Sequence, residues 1–322
     1  MVSFGKELDF SVQALIPDNQ IDKEQTYFDL KLIPGQTQIV QVKIVNSSAQ
    51  DFTAHLKLNS ATTARNGLID YKQWEEQERD ESLKYSINEI AKIEKEELNI
   101  PANSSVLANI QIDMPDEKIA GIILGGIVIS TDIAQEDDTE NTGIQIQNKY
   151  DYVIGMKLMQ SDEEVLPELY FKGVDTGLVN YRPAVSFRLQ NDQPVIIKNM
   201  NIQADVFQKG KDEVLYQLQL DQAEMAPNSN GDFVIEWGNT PIKAGNYILK
   251  VRAEHEGRIW EWEESFEITA QSANETNQNA VGIEKSNIWI YIISGFTALL
   301  FLILLAFWFG RKSVRDKEEG QQ

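Results

Sequence analysis

Cysteine is absent from the 322 residues of this chain. There is thus no disulfide, no thiolate nucleophile and no sulfur ligand for a metal, and any domain must be held by its own core. Histidine is nearly absent: His55 and His255 each stand alone in strand-like sequence, which leaves no cluster for zinc and no base beside a nucleophile. GxSxG, Ser-x-x-Lys, HExxH and a phosphate loop ending in Gly-Lys-Ser/Thr are all missing. The chain reads as a non-enzyme without cofactor or metal. Positive charge is also scarce, with 29 basic against 50 acidic residues and a net charge of −21. A phosphate backbone needs a basic footprint, so nucleic acid is excluded as a partner. The acidic pairs Asp137-Asp138 and Glu163-Glu164 lack the spaced oxygens of a calcium loop and read as solvated charge.

One stretch lacks charge altogether. From Ile288 to Phe309 the sequence is IWIYIISGFTALLFLILLAFWF, without proline, and a helix of that length matches a hydrocarbon core of about 30 Å. Trp289 and Tyr291 at one end, and Trp308 and Phe309 at the other, suit the headgroup region. Gly310, Arg311 and Lys312 follow, with Arg315 and Lys317 beyond. The expectation is a single-pass anchor over 288–310, from Ile288 to Gly310, with a basic cytoplasmic tail at 311–322 and everything before it outside the cell. The opening MVSFGKELDFSVQ has no basic-then-apolar leader, whereas this topology requires export; a signal peptide is therefore expected to be absent from the sequence as given.

What remains is β-patterned. Val40, Val42 and Ile44 alternate with Gln41 and Lys43, and Val106, Ala108, Ile110, Ile112 and Met114 alternate with Asn109, Gln111 and Asp113. Further strands are expected near Phe10 to Ala14, Tyr27 to Leu32, Phe52 to Ser60 and Ile122 to Thr131. The last of these, continuously apolar, should be central and covered on both faces. Between Arg65 and Ile93 the pattern gives way to polar sequence with one short helix near Asn88 to Ile93. A second set of about eight strands is expected from Ile144 to Thr269. It includes a hairpin through Glu256-Gly257 that carries the stripes Tyr247, Leu249, Val251, Ala253 and Trp260, Trp262, Phe266, Ile268. The fold class expected is all-β: two immunoglobulin-like β-sandwiches, then one transmembrane α-helix. The division expected is a remnant at 1–7, a first sandwich at 8–134, an acidic linker at 135–143, a second sandwich at 144–270 and a flexible Gln/Asn/Ser/Glu stalk at 271–287.

The one candidate ligand surface is Tyr71, Trp74 and Tyr85, in the otherwise polar GLIDYKQWEEQERDESLKY, because flat rings among hydrogen-bonding groups suit a sugar. The alternative is that these rings pin a long loop to its own sandwich.

The phrases LDFSVQALIPDNQIDKEQTYFDLKLIPGQTQIVQVKIVN, NGLIDY and IAGIILGGIVIS resemble the N-terminal domain of the WxL-interacting proteins of Gram-positive bacteria. IQNKYDYVIGMKL, LQNDQPVIIKNMNIQADV, MAPNSNGDFVIEW, IKAGNYILKV and WEWEESFEI resemble the second domain of that family. The resemblance implies a cell-surface binding and scaffolding protein, its first domain for peptidoglycan and its second for host extracellular matrix, with secreted WxL-domain proteins as partners. The chain has no WxL signature of its own. It also lacks an LPxTG sorting signal, since Leu166-Pro167-Glu168-Leu169-Tyr170 departs from that motif. The rival expectation is an accessory subunit or enzyme of cell-wall metabolism.

Overall fold

The computed structural model describes residues 10–72, 79–131, 135–136, 147–148, 151–283 and 293–305. Period-two sequence makes one face of each strand apolar, and pairs of sheets close over those faces. The first part contains β1 (Phe10–Leu15), β2 (Phe28–Lys31), β3 (Thr37–Asn46), β4 (Phe52–Ser60), β5 (Thr62–Thr63) and β6 (Ile69–Asp70). After these come a one-turn helix α1 (Ile87–Ile90), β7 (Ala91–Ile93), β8 (Glu97–Ile100), β9 (Ser104–Asp113), β10 (Ile122–Thr131), the short pair β11 (Gln135–Glu136) and β12 (Gln147–Asn148), and β13 (Tyr152–Met159). One sheet runs β1-β3-β9-β7 and faces a second, β2-β13-β10-β4-β8. Val40, Val42, Ile44, Ile110, Ile112, Phe28 and Ile127 fill the space between them. As its apolar run predicts, β10 is central, and it is covered on both faces over most of its length.

The second part contains β14 (Leu169–Val179), β15 (Arg182–Asn191), β16 (Ile197–Gln208), β17 (Val214–Met225), β18 (Ser229–Glu236), β19 (Gly245–His255), β20 (Arg258–Ile268) and α2 (Ala270–Asn279). Its sheets are β14-β15-β18 and β17-β16-β19-β20. The hairpin stripes sit where the alternation puts them: Tyr247, Leu249, Val251 and Ala253 are buried, and Trp260 and Ile268 beside them are buried too. Trp262 and Phe266 pack partly buried against the same core. His55 lies in the first sandwich and His255 in the second.

Two expectations are corrected. Of the strand expected from Ile144 to Met159, the part from Tyr152 to Met159 does not open the second sandwich. Its described strand, β13, pairs antiparallel with β10 and parallel with β2, and Ile154, Met156 and Leu158 belong to the first core. The alternation that marks a strand does not say which sheet completes it; pairing across about 30 residues decides that. The stretch from Gln271 to Asn287 is not a flexible stalk over its first part. Thr269 caps α2 by accepting from the Ser272 N–H at 3.1 Å, and Ala273 and Thr276 are buried. Asn277 holds Ile242 twice, accepting from its N–H at 2.8 Å and donating to its carbonyl at 2.9 Å. The Val281 N–H then donates to the carbonyl of Tyr181. One cap and one two-pronged side chain dock a helix whose composition is polar.

Residues 293–305 are helical, with Ile293, Phe296, Leu299 and Leu302 among their exposed side chains. Among the described residues, no helix is long and apolar enough to cross a membrane. The anchor residues Ile288, Trp289, Tyr291, Trp308, Phe309, Arg311 and Lys312 lie outside the described residues, as does Trp74.

Candidate functional site

The polar segment between β4 and β7 supplies much of the first sandwich's grip on the second. Buried hydroxyls carry much of the grip. The Ser229 hydroxyl gives its proton to the carbonyl of Ala226 at 2.8 Å, so in its 2.7 Å contact with Thr63 the Thr63 hydroxyl is the donor. Thr63 in turn accepts from the Ala226 N–H at 3.1 Å. Backbone bonds flank this knot: the Glu224 N–H donates to Gly67 at 2.6 Å, and the Ile122 N–H to Pro194 at 2.7 Å. The backbones come so close that a Cβ on Gly121, which has φ +76°, would stand 2.2 Å from the Pro194 oxygen.

Beside this knot an apolar cluster of Ala61, Leu124 and Ala226 is packed by Ile69, Tyr71, Ile122 and Ile196. The ring of Tyr71 therefore seals the contact between the two halves. Its burial, helped by the charge of Glu224, pushes the phenol up to about 12. Tyr85 packs elsewhere, against the first core, with its hydroxyl donating to Glu117 and Lys84 pairing with the same carboxylate at 2.6 Å. Glu117 is lowered and Tyr85 raised by these bonds. Tyr71 and Tyr85 thus belong to different packing clusters, and each is used in holding its segment down.

Next to the knot the two sandwiches leave a cleft of about 670 Å³, within the range of small-ligand sites. The first sandwich contributes Arg65, Arg79, Asp80, Glu81 and Asn88 to its walls, and the second Lys172, Arg188, Gln190, Asn230 and Asp232. A shallower extension of about 470 Å³ runs along β14 and shares Arg65, Lys172, Arg188 and Asp232. Asp80, 6% exposed, organises the floor. Its carboxylate accepts from the N–H and hydroxyl of Ser82, from the Gln190 amide at 2.9 and 3.0 Å, and from the Asn230 amide at 2.5 Å. Arg188 holds Asp232 through two parallel bonds of 2.6 and 2.8 Å. The Asn230 Oδ1 is buried without a hydrogen-bond partner.

Arg79 fixes the cleft's outer rim. It donates to Glu89 at 2.7 and 3.2 Å and to the carbonyls of Leu83 and Lys84, while Glu89 accepts from the Ser86 N–H at the start of α1. The Arg79 guanidinium, and then the Ser86 amide, lower Glu89 to about 2. A carboxylate held below its ordinary 4.5 adds stability that is complete above that value and lost as pH falls through the folded one. Acidification from about 4.5 to about 2 should therefore loosen residues 79–90. Hydrogen-exchange protection factors, corrected for the intrinsic rate at each pH, should fall across that segment in this window, and less so in Glu89→Gln. Equal protection factors at pH 5 and pH 2 would contradict the assignment.

No sequence signal marks the cleft, because its members are scattered among charged loop residues and the outward positions of strands. Among the described residues, no group of three or more His, Cys, Asp or Glu is placed to hold a metal. A search of the curated proteins finds no match. Solved structures overlap only loosely. The E. coli chaperone DraB is 11% identical, covering 80% of this chain and 95% of its own, with a TM-score of 0.30. The Pseudomonas aeruginosa chaperone CupB2 is 8% identical, covering 73% and 97%, with a TM-score of 0.26. A PapD-like domain of human CEP192 is 9% identical, covering 51% and 94%, with a TM-score of 0.29. The fold therefore rests on the strand pairing described above. Family models are more decisive: residues 10–131 match the peptidoglycan binding domain of the WxL Interacting Protein, and residues 141–278 its host binding domain. With two successive domains matched in their family order and along most of its length, the chain belongs to the WxL-interacting protein family.

Proposed function

We propose that this protein is a membrane-anchored scaffold of the bacterial cell surface. In this reading it joins peptidoglycan to secreted WxL-domain proteins and adheres to host extracellular matrix. The observation that carries the reading is the coupling of two domains, each of a family described by what it binds, through buried hydrogen bonds and a sealed apolar contact. A protein that must hold two partners at once gains from such coupling, because binding at one end fixes the position of the other. The anchor is supported by the helical residues 293–305, which expose apolar side chains over most of their surface, and by Thr297, whose hydroxyl is satisfied within the helix by the Ile293 carbonyl at 2.9 Å. The uncharged run continues in sequence to Phe309, with Arg311 and Lys312 beyond. Co-precipitation of the full-length protein with a cognate WxL-domain protein tests the scaffold directly. A complex at micromolar concentration is expected, and its absence would refute the scaffolding role.

A further inference from the structure

The wall polymer has two chemically distinct parts, neutral N-acetyl sugars and carboxylate-bearing peptide stems, and the cleft between the sandwiches suits the second. Its positive groups stand out in a chain of net charge −21. Of its acids, Asp80 is already saturated by Ser82, Gln190 and Asn230 and Asp232 is held by Arg188, which leaves Glu81 in the cleft and Asp175 in its extension as the other carboxylates. Lys172 has no ion-pair partner among the described residues. The pairing of β14 with β15 skips it, jumping from Phe171 to Gly173, so Lys172 is the extra residue of a β-bulge. Bulges re-aim a side chain, and this one lines both the cleft and its extension, as Arg65 does from the opposite sandwich. Deeper in, the Asn230 Oδ1 is an acceptor with nothing to accept. A buried acceptor left unmet is destabilising, and a ligand N–H or O–H would relieve that cost.

Resting on the reading that this protein binds peptidoglycan, we propose that the cleft takes the acidic peptide stem of that polymer. A stem carboxylate meets Lys172, and a stem amide N–H donates to the Asn230 Oδ1. The sides of the cleft come from both sandwiches, so the wall contact lies at the joint between them.

Calorimetric titration of the full-length protein with soluble peptide-bearing muropeptides, and with an uncharged oligomer of N-acetylglucosamine, tests the assignment. Binding of the peptide-bearing form should be at least about tenfold tighter and should weaken with salt. Lys172→Glu should lower it about tenfold with the melting temperature unchanged, and Lys172→Arg should retain it. Equal affinity for the uncharged sugar oligomer, or a Lys172→Glu variant that binds as the parent does, would overturn the cleft while leaving wall binding intact. A parent protein that binds neither soluble form and does not sediment with whole peptidoglycan would overturn the wall-binding reading as well.

Discussion

Asp80→Ala should part the two sandwiches. The substitution removes an acceptor that takes the Gln190 and Asn230 amides from across the contact and the Ser82 N–H and hydroxyl from its own side. Hydrogen bonds to a charged group contribute about 1.5–3 kcal/mol each, and amides left buried without a partner add their own penalty, so a loss of about 3 kcal/mol or more is expected. The loss falls on the contact between the sandwiches, so it should appear as faster proteolysis and hydrogen exchange across residues 61–72 and 79–88 before either core melts. Asp80→Asn keeps the shape but not the chemistry. One of its two terminal groups becomes a donor facing donors, and it should be nearly as damaging as alanine. Parent-like protection in the asparagine variant would show that the carboxylate is not the organiser.

The second large effect lies in the second core. Phe187, 1% exposed, stacks on Phe233 with ring centroids 5.4 Å apart, and Phe171 lies parallel to it at 6.4 Å. Removing the ring empties the middle of a three-ring pile that spans β14, β15 and β18. Phe→Ala at such a site costs about 3–5 kcal/mol, a large share of the whole stability of an ordinary domain. The melting transition of the second sandwich should fall on the order of 10–20 °C. Phe187→Leu, which refills much of the volume, should recover more than half of the difference. A fall of only a few degrees with alanine would mean that the pile collapses to fill the space.

What was legible in the sequence follows physical range. Alternation is local, so the strands around Val40, Ile110, Leu249 and Trp262 could be read with their faces, and the uncharged β10 could be placed at the centre of its sheet. The membership of β13 could not, since Val153, Met156 and Leu158 look the same whichever sheet receives them. The role of Tyr71 was hidden for a related reason. In GLIDYKQW it has no apolar rhythm around it, and its partners Leu124 and Ala226 arrive from far along the chain. Asp80 reads as one acid in the run QERDES, and nothing local marks it as the one that would be buried. Composition misjudged residues 271–279, because a run of Gln, Asn and Ser looks unstructured unless one notices the capping Thr269 and the reach of Asn277 to Ile242.

The position of β13 has a practical side. The host binding family model begins at residue 141, so a gene fragment cut there would carry Tyr152–Met159 away from the sheet it completes. The remaining first half would lose the strand that bridges β2 to β10, leaving Phe28 and Leu30 without their neighbour, while the other half would trail a ribbon bearing Ile154, Met156 and Leu158 in water. Such halves are a matched plug and socket: expressed apart each should be sticky, and mixed they should recombine into the parent fold.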